Sequence, residues 1–151
     1  FKQKTAYEIP LRLVGSDMYT DPAQAAEFVE RTGCGSLAIA VGNAHGPYVK
    51  TPHLDMERIK EVRAAVSIPL VMHGCSDIPD EQLQETVNLG MSKYNIATEY
   101  FRAMYKSIEK NVATGEFDEN AFGLMQAAGK DMTDFVASKI RLLNPNGYTL
   151  A

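Results

Sequence analysis

Between residues 21 and 99, short unbroken apolar runs alternate with amphipathic stretches of helical period, and the connections between them are only a few residues long. A run of apolar residues without polar alternation marks a strand buried on both faces. Such strands separated by helices form βα units of a parallel sheet. Thr20-Asp21-Pro22 offers an N-cap followed by a helix-starting proline, and Ala25, Ala26, Phe28 and Val29 form an apolar stripe that stops at Gly33, so a helix is expected over 22–32. Residues 36–41 then read as a strand. A helix marked by Leu54, Ile59, Val62 and Val66 follows, then a strand over 68–72, a helix over 79–89 that ends at Gly90, and a short strand over 92–96.

Beyond Thr98 the pattern is helical. One helix is expected over 100–112, a break at Thr114-Gly115, and a second over 120–142 interrupted at Gly123 and Gly129. Met125, Ala128, Met132, Phe135, Val136 and Ile140 recur there at helical spacing, which suits a subunit interface as well as packing against a sheet. Residues 1–18 read as an irregular segment or a junction, 19–105 as the α/β part, and 106–151 as a helical extension.

The 151 residues, 45% hydrophobic and 23% charged, have globular composition. No apolar run approaches the ~18 residues of a membrane span, and no charged-then-apolar leader pattern opens at Phe1, so a cytoplasmic location is expected. A net charge of −4 without clustered Lys and Arg argues against a nucleic-acid partner. Cys34 and Cys75 stand in unrelated contexts without CxxC spacing, as reduced intracellular thiols do.

In parallel α/β folds the ligand site lies at the carboxyl ends of the strands. His45 follows the first strand, His73 follows the second, and residues 95–98 close the third. Imidazole is a common zinc ligand, yet either histidine alone is as readily a capping or core residue. Their matched positions favour the ligand reading. His53 has no such placement and reads as a surface or capping residue. Gly74-Cys75-Ser76-Asp77-Ile78-Pro79, between a strand and a helix, can turn successive N–H groups toward an anion. A tight βα turn with an Asp N-cap would use the same residues. Asn95 and Thr98 can donate to the same anion or cap the next helix, and Gly46 permits close approach of a ligand.

Five segments taken together, Tyr19-Thr20-Asp21-Pro22, the stretch from Phe28 to Gly33, the stretch from Leu37 to Gly46, Pro69 to Ser76, and Lys93 to Glu99, resemble the class II fructose-bisphosphate and tagatose-bisphosphate aldolases in order and spacing. The resemblance covers about residues 19–105. It implies a TIM (β/α)8 barrel of which this chain carries the last three βα units plus C-terminal helices. It implies that His45 and His73 are ligands of a catalytic Zn2+. Gly46, Gly74, Cys75, Ser76, Asn95, Ile96, Ala97 and Thr98 would bind the phosphate of a phosphorylated sugar, with Na+ or K+ nearby. The activity implied is reversible cleavage of a ketose 1,6-bisphosphate to dihydroxyacetone phosphate and glyceraldehyde 3-phosphate by a homo-oligomer, dimer or tetramer, with zinc acting as Lewis acid.

Two positions depart from the family pattern. Cys75 stands where the family usually has Gly or Ala, and Asp77 where it often has Gly. A carboxylate beside a phosphate dianion is repulsive unless it points away as a helix cap. These two features are what a non-catalytic, structural or regulatory barrel subunit would show. The family's third zinc histidine and its general-acid aspartate belong to an Asp-His motif on earlier strands that these residues lack. No catalytic residue is therefore assigned here, and a barrel of ~250 residues requires a missing N-terminal half.

Overall fold

The computed structural model describes residues 19–115, 120–147 and 149, so the segment over 1–18 lies outside the described residues. Its elements follow in the order α1 (Pro22–Thr32), β1 (Leu37–Ile39), α2 (Met56–Ala65), β2 (Leu70–Met72), α3 (Asp80–Asn88), β3 (Met91–Tyr94), α4 (Thr98–Thr114) and α5 (Ala121–Leu142). The three strands form one parallel sheet in chain order, with a helix in each crossover. Leu37 and Ile39 stand opposite Leu70 and Met72, and Val71 and Met72 stand opposite Lys93 and Tyr94. The register slips between Leu70 and Val71.

The strands are shorter than the apolar runs that announce them, because backbone groups at the run ends bond elsewhere. Ala40 donates to Thr20 Oγ1 at 2.8 Å and accepts from the Thr20 N–H, which draws β1 out of the ladder beyond Ile39. Pro69 has no N–H to offer, and β2 starts one residue later. Asn95 donates its N–H to the Met72 carbonyl and accepts from Cys75 N–H, so the end of β3 is bonded into the turn after β2.

Helix ends follow local chemistry. Asp21 accepts from the Gln24 N–H at 2.9 Å with Pro22 in the first turn, and Gly33 closes α1 at φ 62°. Asp55 caps α2 in the same way. The N-cap of α3 is Pro79 and makes no side-chain cap bond, so the alternative in which Asp77 caps this helix does not hold. α3 ends as expected, with Leu89 as its C-cap and Gly90 beyond it at φ 94°. α4 runs unbroken from Thr98 to Thr114. One expectation is corrected: α5 is continuous through Gly123 and Gly129. A helical glycine costs about 1 kcal/mol against alanine, less than the packing of α5 on α4 returns.

Leu37, Ile39, Leu70, Met72, Met91 and Tyr94 put one face of the sheet into a core completed by Ala25, Leu54, Ile59, Val62, Val66, Ile78 and Leu83. The opposite face carries the aligned row Ala38, Val71 and Lys93, of which Ala38 and Lys93 are exposed. The carboxyl ends of all three strands therefore meet at one edge of a sheet backed by helices on one side.

Candidate active site

At that edge lies a cavity of about 180 Å³ lined by His45, Gly46, His73, Gly74, Ser76, Asn95, Ala97 and Thr98. These residues come from the loops after β1, β2 and β3. His45 and His73 face each other edge to face with ring centroids 5.4 Å apart. The Asn95 amide nitrogen lies 3.3 Å and 3.4 Å from the two ring nitrogens of His73, close enough to donate to whichever is unprotonated.

The loop that carries His45 is clasped to the loop that carries His73. Asn43 accepts from the Val41 N–H through its side-chain oxygen and donates from its amide to the His73 carbonyl, both at 2.8 Å. The Tyr48 hydroxyl accepts from the Ala44 N–H at 2.8 Å and donates to the Gly74 carbonyl at 2.9 Å. Burial raises the pKa of that hydroxyl, which stays protonated and keeps donating. Between the two clasps the backbones nearly touch: a Cβ at Gly74, where φ is 62°, would lie 2.0 Å from the Ala44 carbonyl oxygen. Sequence reasoning passed over Asn43 and Tyr48; only their short separation from His45 marked them, and that spacing has no distinctive pattern.

The turn over 74–78 is fastened to the start of α4. Ser76 is buried and its hydroxyl accepts from the Glu99 N–H at 3.1 Å. The N-cap of α4, Ala97, supplies no side-chain cap, so the positive end of a 17-residue helix opens toward the cavity wall formed by Ala97 and Thr98. Of the anion-binding positions expected from the sequence, Gly46, Gly74, Ser76, Asn95, Ala97 and Thr98 line the cavity. Cys75 and Ile96 do not. The Cys75 N–H is bonded to Asn95 O, its thiol is turned into the core within 3.2 Å of the Met72 carbonyl, and burial pushes the thiol pKa up to about 11. Ile96 packs against the core.

Asp77, the one described non-glycine residue with positive φ, at 61°, stands outside the lining and accepts from both terminal nitrogens of the Arg102 guanidinium at 2.8 Å. That hydrogen bond, with the charge behind it, holds its carboxyl below the usual range. Arg102 was not marked in the sequence, since a helical arginine 25 positions away gives no local sign of its partner. His53 is exposed and does not line the cavity.

Two imidazoles converging on one cavity fit part of a divalent-metal site. Among the described residues, no group of three or more His, Cys, Asp and Glu side chains converges to complete one. The arrangement can present two nitrogen ligands beside a glycine turn and a helix N-terminus, which suits a metal next to an oxyanion.

Known proteins share this sequence and fold. The family model for class II fructose-bisphosphate aldolase matches residues 6–148. An uncharacterized protein, YdjI of Escherichia coli strain K12, is 44% identical over 129 residues, covering 85% of this chain and 45% of that protein. The crystal structure of the YdjI aldolase superposes with a TM-score of 0.77 over 85% of this chain and 47% of its own. A putative fructose-1,6-bisphosphate aldolase of Coccidioides immitis, 26% identical, gives 0.75 over 85% and 44%. Fructose-bisphosphate aldolase of Campylobacter jejuni, 23% identical, shares the fold at 0.69. The chain thus spans about half the length of the relatives it matches. The family model covers nearly the whole chain, and this chain therefore belongs to the class II fructose-bisphosphate aldolase family.

Proposed function

We propose that these residues form the phosphate-binding end and two thirds of the metal site of a zinc-dependent aldolase. In this reading the enzyme cleaves a ketose 1,6-bisphosphate, of fructose or tagatose type, reversibly to dihydroxyacetone phosphate and glyceraldehyde 3-phosphate. The observation that carries it is the edge-to-face pair His45 and His73 on the wall of the cavity built from Gly46, Gly74, Ser76, Asn95, Ala97 and Thr98. His45 and His73 would hold the Zn2+, which when bound supplies Lewis acidity at the ketose carbonyl. Asn95 orients the His73 ring, the Gly74 turn and the start of α4 hold the phosphate, and Asn43 and Tyr48 keep the two histidine loops in register.

The three parallel strands are the last three of a (β/α)8 barrel in this reading. The third ligand and the general-acid aspartate come from strands outside these residues. A cytoplasmic homo-oligomer, with Na+ or K+ beside the phosphate, completes it. Cys75 and Asp77, the features that would favour a non-catalytic subunit, both lie outside the cavity lining, one facing the core and the other paired with Arg102.

The test is made on the intact protein that carries these residues. It is expected to bind zinc, to cleave fructose or tagatose 1,6-bisphosphate, and to lose activity with EDTA. His45→Ala and His73→Ala should each lower bound zinc and cut turnover by about 100-fold or more. A protein free of zinc, or activity that survives chelation, would end the zinc reading. Cleavage of ketose 1-phosphates with rejection of the bisphosphates would keep the aldolase and remove the second phosphate from its substrate.

A further inference from the structure

We propose that Asp77 and Arg102 form a positioning pair, in which Arg102 shapes the 74–78 turn and cancels the Asp77 charge beside the substrate phosphate. The inference rests on the phosphate reading of the cavity given above. Asp77 directly follows Ser76, a residue of the cavity lining, and so brings a carboxylate into the turn beside the proposed anion site. A bare carboxylate in that turn would repel a dianion. Both carboxylate oxygens are instead engaged by the two terminal nitrogens of Arg102 at 2.8 Å, the fork geometry that makes arginine a specific partner for carboxylates.

The anchor is placed to act on the site. Arg102 lies one turn into α4, whose first residue, Thr98, lines the cavity, and Ser76 is tied to Glu99 of the same turn. Asp77 is also held at φ 61°, a backbone state that aspartate tolerates better than most residues but does not prefer. Arg102 therefore fixes the strained residue next to Ser76 from the same helix end that faces the ligand. A second ion pair, Lys139 to Glu99 at 2.8 Å, extends the charge alternation from the turn through α4 to α5.

Charge compensation predicts effects of opposite sign, which a merely structural latch does not. Inorganic phosphate is the probe, titrated by phosphorus NMR against the intact protein at low ionic strength, where screening is weakest. Arg102→Gln leaves Asp77 uncompensated and should weaken phosphate binding by about 5-fold. Asp77→Asn leaves Arg102 uncompensated and should tighten it by about 2-fold. The double variant D77N/R102Q should return to within about 2-fold of the parent. In turnover, Arg102→Gln should raise KM for the phosphorylated ketose with little change in kcat.

Unchanged binding in Arg102→Gln overturns the pair's role, as does weakening in all three variants. If Arg102→Gln does not fold, the sign of the Asp77→Asn effect decides alone: tighter binding upholds the proposal and weaker or equal binding overturns it. A parent protein that binds no inorganic phosphate removes the phosphate reading itself, and the pair's role with it. Phosphate binding by the parent without the opposed signs removes only the pair.

Discussion

Two glycines show how differently the same residue type is constrained. At Gly74 a Cβ would meet the Ala44 carbonyl oxygen at 2.0 Å, and φ is 62°; at Gly129, inside α5, a Cβ would meet nothing within 4 Å. Gly74→Ala is expected to cost about 3 kcal/mol or more, from strained backbone and the forced separation of the two histidine loops. Gly129→Ala is expected to stabilise by about 0.5 to 1 kcal/mol through helix propensity. Urea unfolding of the two variants checks both signs. Cys75 is the other residue whose surroundings make a measurable prediction. Below about pH 9 its thiol is neutral in the folded and unfolded states alike. Its folded pKa is raised from 9.0 to about 11, so from about pH 9 upward the unfolded chain ionises while the folded chain does not. Stability should fall by an amount on the order of 2 kcal/mol across that window. Tyr94, pushed up to about 12 by burial, extends the loss to higher pH. Cys75→Ala should remove the portion between pH 9 and 11, and a flat pH profile in the parent would refute the assignment.

Among elements, the clasp between the loops after β1 and β2 is the feature on which the site depends. Tyr48 bonds one backbone donor and one backbone acceptor across it. Tyr48→Phe strands both groups in a partly buried place and should cost about 1 to 3 kcal/mol. Because the freed loop carries His45, zinc affinity should fall further than stability alone explains. Metal titration beside thermal unfolding separates the two effects, and unchanged affinity would show that the clasp does not position His45. This contact explains what could and could not be read from the sequence. The strands, α1 and the placement of His45, His73 and residues 95–98 were legible because apolar period, proline and glycine are local signals. Asn43, Tyr48 and Arg102 act through partners 25 to 30 positions distant, and nothing in their own neighbourhoods announces it. Cys75 and Ile96 lie outside the cavity lining, since the Cys75 N–H is bonded to the Asn95 carbonyl and Ile96 packs against the core. The continuity of α5 was missed because propensity weighs Gly123 and Gly129 without the packing that overrides them.

At the scale of the whole molecule, the sheet is unfinished by its own chemistry. β2 is buried along its length, while β1 and β3 each have one side without a strand partner among the described residues. A groove of about 580 Å³ runs beside β3, lined by Val87, Gly90, Met91, Ser92, Lys93, Tyr94 and Leu143. The sheet face bearing Ala38, Val71 and Lys93 takes no part in the helix-backed core. Parallel sheets are stable when both faces are covered, and bare strand edges recruit other strands. The helices add to the exposed apolar surface: Phe101, Tyr105 and Val112 on α4, and Phe122, Met125 and Ile140 on α5, are each more than half exposed. The 151 residues expressed alone are therefore expected to self-associate and to bind a hydrophobic dye such as ANS, and, on the proposed function, to show no aldolase turnover, because that reading takes the third metal ligand and the general acid from other residues. Size-exclusion chromatography with an aldol-cleavage assay checks this. A monomer that excludes the dye and cleaves fructose 1,6-bisphosphate would mean that three strands suffice to build the site, and would overturn the division of the active site between these residues and others.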